Sequence, residues 1–295
     1  MNWTPGGESQ DIEDRRGDSG GGGGFGFGGG GGFGGIHLGI GGTIILLLLS
    51  LVFRTNLFSL FSGGGGGTAV TRPVERGADP SRNDTEKREV QLVSFVLDDV
   101  QHTWEKLLPA QANVPYHHAK LVLFRDSIQS ACGQAESATG PFYCPGDEKV
   151  YIDLGFYDEL AKRFGAPGEF AQAYVLAHEI GHHVQKLLGI ESKVRRLQQS
   201  NPGEQNALSV RLELQADCFA GVWGNSTEQR KIIDNSDVAA GLAAAAAVGD
   251  DRLQKMARGS VNPESFTHGS SAQRTHWFQQ GLTSGNVSSC NTFKQ

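Results

Sequence analysis

The sequence predicts an α+β domain that is mostly helical, contains a small sheet and is preceded by one transmembrane helix. Residues 119–124 and 149–153 are short, apolar, β-prone runs typical of strands. After residue 153 the apolar side chains recur every three or four positions, the spacing of helices that pack against a core. Residues 36–53 carry no formal charge over a length near the minimum for a membrane helix.

Composition divides the chain into four segments. Residues 1–35 combine a charged opening, DIEDRRGD, with a glycine tract that offers too little apolar surface to offset its backbone entropy, so we expect a disordered tail. Residues 36–58 are predicted to form a single uncleaved span, because no small-residue cleavage site follows cleanly. The alternative is a buried globular helix, which the flanking glycine tracts would leave without a packing partner. Residues 59–85 form a glycine-rich, then charged, flexible linker, and residues 86–295 form the domain.

The elements of the domain follow from local spacing. An amphipathic helix is expected over residues 84–108, and the two strands come next. A loop rich in glycine and serine lies between Cys132 and Cys144. The later helices are predicted at residues 157–164, 168–189, 206–224 and 238–248, and the alanine run in the last of these indicates close helix packing.

The stretch AHEIGHHV lies inside the helix predicted over residues 168–189 and carries the chemistry. His178 and His182 are four residues apart, so both imidazoles lie on one face of the helix and can bind one metal ion. Glu179 can reach a water in an open position of that metal without ligating the ion. This is the H-E-x-x-H arrangement of zinc peptidases. His183 points about 100° away from His182 and is interpreted as a packed histidine or as a support for a ligand.

A third ligand is expected from the helix over residues 206–224. Glu213 and Asp217 are four residues apart beside its apolar stripe. Glu213 would complete a ligand set of two histidines and one glutamate, and Asp217 would accept the spare ring N–H of a ligating histidine. A solvated helix face is the alternative interpretation of this pair.

Four blocks, in order, resemble one family. FYCPGDEKVYIDLGFYDEL, FAQAYVLAHEIGHHVQKLLGI, SVRLELQADCFAGVWG and SFTHGSSAQRTHWF are similar to successive blocks of the putative neutral zinc metallopeptidase family of bacteria. The similarity runs from about residue 88 to the C-terminus. The resemblance implies a membrane-anchored, zincin-like fold with His178, His182 and Glu213 as zinc ligands and Glu179 as the catalytic base. It implies little about the substrate.

Together these features predict hydrolysis of a peptide bond in a protein or peptide substrate. His268, in the C-terminal block with Arg274 and His276, is a candidate for stabilising the oxyanion. Residues 149–153 are the candidate sheet edge for an extended substrate. The alternative function is a membrane-anchored, non-catalytic zinc-binding module for quality control or scaffolding. A net charge of −6 without a basic stripe argues against nucleic acid as a partner.

The cysteines indicate the compartment. All four lie after the apolar stretch, an even number consistent with two disulfides on the extracytoplasmic side. Arginines lie on both sides of the stretch, so the positive-inside count is nearly balanced and gives little information on the orientation in the membrane. Four cysteines allow three pairings; proximity favours Cys132 with Cys144, which leaves Cys218 for Cys290. Zinc ligation by cysteine is the alternative, but no Cys-x-x-Cys pair is present. The oligomeric state stays open.

Overall fold

The computed structural model describes residues 1–18, 80–137 and 140–294. Its strands are β1 (Ile12–Asp14), β2 (Lys120–Phe124), β3 (Ser127–Ser130), β4 (Gly133–Glu136), β5 (Phe142–Cys144) and β6 (Lys149–Asp153). Its helices are α1 (Pro80–Ala112), α2 (Gly155–Lys162), α3 (Glu169–Leu187), α4 (Ile190–Ser200), α5 (Gln205–Gln229), α6 (Asn235–Ala247), α7 (Asp250–Arg258) and α8 (Ser271–Ser284). The predicted class, α+β and mostly helical with a small sheet, is confirmed.

The main sheet has the strand order β1-β2-β6-β5. β1 and β6 both run parallel to β2, whereas β5 is antiparallel to β6, and β3 and β4 form a separate hairpin. The two central strands, β2 and β6, are buried along most of their length, which explains why both are short apolar runs in the sequence. The prediction that residues 149–153 form a sheet edge is wrong, because β6 is paired on both sides. β5 is the outer strand on that side.

The N-terminal residues belong to the domain. β1 pairs with β2, and Leu121 donates its backbone N–H to Asp11 O across 2.8 Å. Residues 1–18 also make side-chain contacts with the domain. Lys149 Nζ contacts Glu13 Oε1 at 2.8 Å, and the indole N–H of Trp3 donates to Glu169 at 2.9 Å. The prediction of a disordered tail over residues 1–35 is therefore wrong for residues 1–18, because ion pairs and a strand ladder offset their backbone entropy.

The predicted span, residues 36–58, lies outside the described residues, as does most of the linker. α1 begins at Pro80, so the last six residues of the predicted linker are helical. Of the helices that the structure does describe, none combines the length and the apolar character needed to cross a membrane. β1 is hydrogen-bonded to β2, so residues 1–18 and the domain lie on the same side of any membrane. A single crossing between residues 18 and 80 would separate the two strands, and the sheet therefore argues against the predicted single-pass arrangement.

Close helix contacts surround the centre of the domain. A Cβ added at Gly181 of α3 would lie 2.9 Å from Ala216 O of α5. A Cβ added at Gly281 of α8 would lie only 1.9 Å from Cys218 O, so α5 and α8 touch through their backbones. α6 packs against Phe170 at Gly241, as its small side chains predict. These contacts hold α3, α5, α6 and α8 in one bundle.

Two disulfides join different elements of the fold. Cys132 is bonded to Cys144, which ties the β3–β4 hairpin to β5. Cys218 of α5 is bonded to Cys290, which fastens the C-terminal residues to the helix bundle. Both pairings agree with the prediction from the sequence, and no cysteine of the chain is free.

Candidate metal centre

α3, which carries the motif, is bounded by a glycine at each end. Gly168 precedes the helix with φ 117°, and Gly189 follows it with φ 70°, conformations that glycine adopts without steric cost. Between them the helix buries most of its surface, including His178, Glu179 and His183. The motif therefore lies in the core.

Three side chains converge between α3 and α5. His178 Nε2 lies 3.2 Å from Glu213 Oε2, and His182 Nε2 lies 3.5 Å from Glu213 Oε1. One ligand atom from each residue lies within 4.8 Å of the others, and this is the one such group among the described residues. Two imidazole nitrogens and one carboxylate oxygen are a typical zinc ligand set, and three protein ligands leave a position open. The side chains of His182 and Glu213 are about one-fifth exposed, so this open side faces solvent.

A buried hydrogen-bond network contacts His178 on the side of the ring that faces away from Glu213. His178 Nδ1 lies 2.8 Å from Asp217 Oδ1, and Tyr174 donates its hydroxyl hydrogen to the same carboxylate. Arg274 donates to both Asp217 oxygens, at 2.8 and 2.9 Å. Because Nδ1 faces Asp217, the lone pair of Nε2 is directed toward Glu213 and the metal position.

The electrostatics of the centre follow from this packing. Burial alone would lower the pKa of His178, but the charge and hydrogen bond of Asp217 outweigh it and raise the pKa to about 10 in the metal-free protein. Burial would raise the pKa of Glu213, yet His182 and His178 lower it well below its usual value. Arg274 and His178 likewise lower the pKa of Asp217 against the effect of burial. Both carboxylates are therefore ionised at neutral pH.

Glu179 lies at the edge of the centre. Its side chain is largely buried, and burial raises the pKa of its carboxyl despite the opposing charges of His178 and His182. It follows His178 on α3, so it is next to a ligand but outside the ligand group.

His268 lies in the segment before α8 and is fixed by Asp250. The Asp250 carboxylate accepts backbone N–H groups from Thr267 and His268, each at 2.7 Å, and lies 3.2 Å from His268 Nδ1. Burial would lower the pKa of His268, but Asp250 and the charge of Glu213 raise it. The negative charge of Glu213 therefore favours the protonated form of this side chain.

The remaining histidines of the two motif blocks lie elsewhere. His183 is fully buried, contacts the Tyr143 hydroxyl at 2.9 Å and the carbonyl of His117 at 2.8 Å, and packs away from the metal ligands. Burial lowers its pKa to about 4. His276 is exposed on the outer face of α8.

Sequence reasoning missed several residues that contact the ligands. From the sequence, neither Tyr174 nor Arg274 is assigned a role at the centre, although both are buried there. For Arg274, a signal was present. The available signal was its position three and four residues before Trp277 and Phe278, on the buried stripe of α8. Asp250 carried no signal, because its partners follow it by about twenty residues in an irregular segment.

Comparison with known proteins agrees with this centre. A family model described as "Putative neutral zinc metallopeptidase" matches residues 1–293. The uncharacterized protein YpfJ of Escherichia coli (strain K12) is 45% identical over 299 residues, which covers 99% of each chain. The uncharacterized protein Rv2575 of Mycobacterium tuberculosis (strain ATCC 25618 / H37Rv) is 43% identical over 207 residues, 66% of this chain and 68% of the relative.

No solved structure matches the chain, so the zincin-like fold implied by the resemblance stays a prediction. The family match includes residues 1–18 as well as His178, His182 and Glu213, the group that could hold a metal ion. The chain therefore belongs to the putative neutral zinc metallopeptidase family, and its cofactor is zinc.

Proposed function

We propose that this protein is a zinc-dependent metallopeptidase that hydrolyses peptide bonds. The observation that carries the proposal is the open ligand group of His178, His182 and Glu213, with Glu179 beside it. Zinc in such a site acts as a Lewis acid toward a carbonyl and lowers the pKa of water toward neutrality. The alternative, a non-catalytic structural zinc module, would favour a closed site with four protein ligands. The described residues supply three, and the site is partly exposed.

Glu179 is proposed as the general base. A carboxylate in this position accepts a proton from the attacking water and passes it to the leaving amine. Its raised pKa suits that exchange, since a base with a pKa nearer neutrality transfers the proton onward more readily. The ligands, by contrast, are tied to outer partners that fix their orientation.

His268 is proposed to stabilise the oxyanion. Asp250 occupies its Nδ1 side, which leaves Nε2 as the ring nitrogen available to a substrate. The raised pKa of His268 favours the protonated ring, and a charged donor stabilises developing negative charge better than a neutral one.

The substrate is proposed to bind as an extended strand along β5. Within the described sheet β5 pairs only with β6, so its other edge is not used by the main sheet. Tyr143 of β5 hydrogen-bonds His183 of α3, which holds this strand against the motif helix. An added strand would gain main-chain hydrogen bonds at this edge and present its scissile bond near the motif helix.

We also propose an oxidising, extracytoplasmic compartment for the domain. Two disulfides with no free cysteine are typical of proteins that fold outside the reducing cytoplasm. Because β1 pairs with β2, the proposal puts residues 1–18 in that same compartment. A single span through residues 36–58 is not part of this proposal, because it would separate β1 from β2.

One experiment distinguishes the proposed zinc ligands from the proposed general base. His178→Ala, His182→Ala and Glu213→Ala should each lower bound zinc, whereas Glu179→Gln should retain zinc and lose hydrolysis of a fluorogenic peptide library. His276→Ala, on an exposed face of α8, is the matched control and should change neither quantity. Stoichiometric zinc in Glu213→Ala would refute the ligand assignment, and full turnover by Glu179→Gln would refute the role of the base. Comparing envelope proteins from cells with either form would then identify substrates.

A further inference from the structure

A chain of buried amides runs outward from the second zinc ligand. His182 donates from Nδ1 to Gln185 Oε1 across 2.9 Å. Gln185 donates from Nε2 to Gln215 Oε1 at 3.2 Å and to Leu212 O at 2.7 Å. Gln215 in turn donates from Nε2 to Cys290 O at 2.8 Å. Each amide accepts on its metal side and donates on its far side, so the hydrogen bonds all point in one direction.

The amides are enclosed by protein. Gln185 and Gln215 are 1% and 4% exposed, so a lost hydrogen bond there would not be replaced readily by water. The acceptor at Nδ1 sets the tautomer of His182, which leaves the Nε2 lone pair for the metal. Gln185 therefore does for His182 what Asp217 does for His178, with a neutral group in place of an ion pair.

The outer end of the chain of amides is the carbonyl of Cys290, so its position depends on how the C-terminal residues are held. Cys290 is bonded to Cys218, and Thr292 donates its hydroxyl hydrogen to Arg211 O at 2.7 Å. Both attachments are to α5, the helix that also carries Glu213. The disulfide is the covalent one of these two attachments and acts at Cys290 itself, the residue whose carbonyl is the last acceptor.

We propose that Gln185 and Gln215 are positioning residues for His182, and that the Cys218–Cys290 disulfide anchors them through the carbonyl of Cys290. This inference rests on the zinc site of the proposed function, but it concerns metal affinity and is independent of hydrolysis. It assigns the second disulfide a role at the metal centre that the first does not share, because Cys132 and Cys144 join the hairpin to β5.

The first test is the zinc affinity of the full chain, measured by competition with a chromophoric chelator. Gln185→Met keeps the side-chain volume and removes the acceptor, and should weaken zinc binding by about tenfold to a hundredfold. Gln185→Glu keeps the acceptor and loses the donor, so it should bind zinc more tightly than Gln185→Met even though a buried carboxylate lowers the stability of the fold. A purely structural role would order the two variants by stability instead. The matched control is Gln254→Met, an equally buried amide that donates to Ser265 outside the chain of amides.

The second test asks whether the disulfide acts through Gln215. Gln215→Met should weaken zinc binding by about threefold to tenfold, and so should the double variant Cys218→Ser, Cys290→Ser. When all three substitutions are combined, the loss of zinc affinity should be no larger than the greater of these two losses. Cys132→Ser with Cys144→Ser removes the other bridge and should leave zinc affinity unchanged. Unaltered zinc affinity in Gln185→Met, or additive losses in the combination, would overturn the proposal. If the Cys218→Ser, Cys290→Ser variant does not fold, the zinc affinity of Gln215→Met is compared with that of Gln254→Met, and equal affinities would overturn the proposal.

The two proposals fail separately. Loss of zinc affinity in Gln185→Met without any measurable peptidase activity in the unsubstituted protein would support the positioning role and refute the proposed function. Full peptidase activity together with unaltered zinc affinity in Gln185→Met would support the proposed function and refute the positioning role.

Discussion

Asp217→Asn tests how far the metal centre and the stability of the fold depend on one carboxylate. Asp217 is completely buried and accepts hydrogen bonds from His178, Tyr174 and Arg274. Asparagine keeps the shape but removes the charge, which leaves the Arg274 guanidinium buried without a counter-ion. The substitution should therefore affect both stability and zinc binding.

The magnitude follows from the burial of both partners. The side chains of Arg274 and Asp217 are 5% and 0% exposed, and removal of one partner of a buried ion pair costs about 3–5 kcal/mol. A domain of this size is stabilised by roughly 5–15 kcal/mol, so the variant should still fold but melt about 10 °C lower. Loss of the charged acceptor behind His178 should weaken zinc binding by about tenfold to a hundredfold.

Urea unfolding in the presence of a chelator measures the free energy of unfolding without bound metal. Arg274→Met leaves Asp217 unpaired and should also be costly, whereas the double variant removes both charges together. Its loss should fall short of the sum of the single losses by about 2 kcal/mol or more, because neither charge is then left buried alone. Zinc affinity, measured separately, should stay reduced in the double variant.

The control is an exposed ion pair. Asp158 contacts Lys162 at 2.8 Å with both side chains about two-thirds exposed, so Asp158→Asn should cost less than about 0.5 kcal/mol. Additive single losses at Asp217 and Arg274 would show that the two charges do not stabilise each other, and would refute the reasoning. Unchanged zinc affinity in Asp217→Asn would show that His178 needs no charged partner.

Three further predictions concern other parts of the molecule. Burial, with the charges of Asp158 and Glu86, raises the pKa of Glu89 to about 7, so ionisation of this side chain lowers stability as pH rises from about 4.5 through 7. Glu89→Gln should therefore stabilise the protein at pH 8 by about 2 kcal/mol, allowing for partial solvent exposure, and have little effect at pH 4, as urea titrations at the two pH values would show. Gly281→Ala should destabilise by about 1–3 kcal/mol, because its Cβ would collide with Cys218 O, whereas Gly203→Ala meets no atom and should be neutral in the same assay. Zinc at a hundred times its dissociation constant should raise the free energy of unfolding by about 3 kcal/mol, and calorimetry should show no such gain in Glu213→Ala.

Local spacing was sufficient for much of the helical domain. The four-residue interval between His178 and His182 places both side chains on one face of any helix, so the sequence brings these two ligands together before tertiary packing is considered. β2 and β6 were likewise predictable, since a strand buried on both faces is a short apolar run. The short interval between Cys132 and Cys144 favoured one disulfide, and the even number of cysteines left the other.

Tertiary structure decided what local spacing does not encode. The charged opening of the chain resembles a disordered tail by composition, and it folds because Lys149 and the edge of β2 supply partners more than a hundred residues away. β6 has the composition of any buried strand, and only its pairing with β2 and β5 shows that it is central rather than an edge.

The surroundings of the ligands also come from packing. Glu213 was a candidate from its spacing to Asp217, but its distance from His178 depends on how α3 crosses α5 at Gly181. Gln215 is a polar residue whose pattern suits a solvated helix face equally well, and the position of Arg274 on the buried stripe of α8 does not tell which carboxylate it contacts. The sequence determined the candidate zinc ligands on α3, because these depend on residue types at helical spacing. The packing of α5, α8 and the C-terminal residues decided which polar groups contact the candidate ligands, because those contacts join positions far apart in the chain.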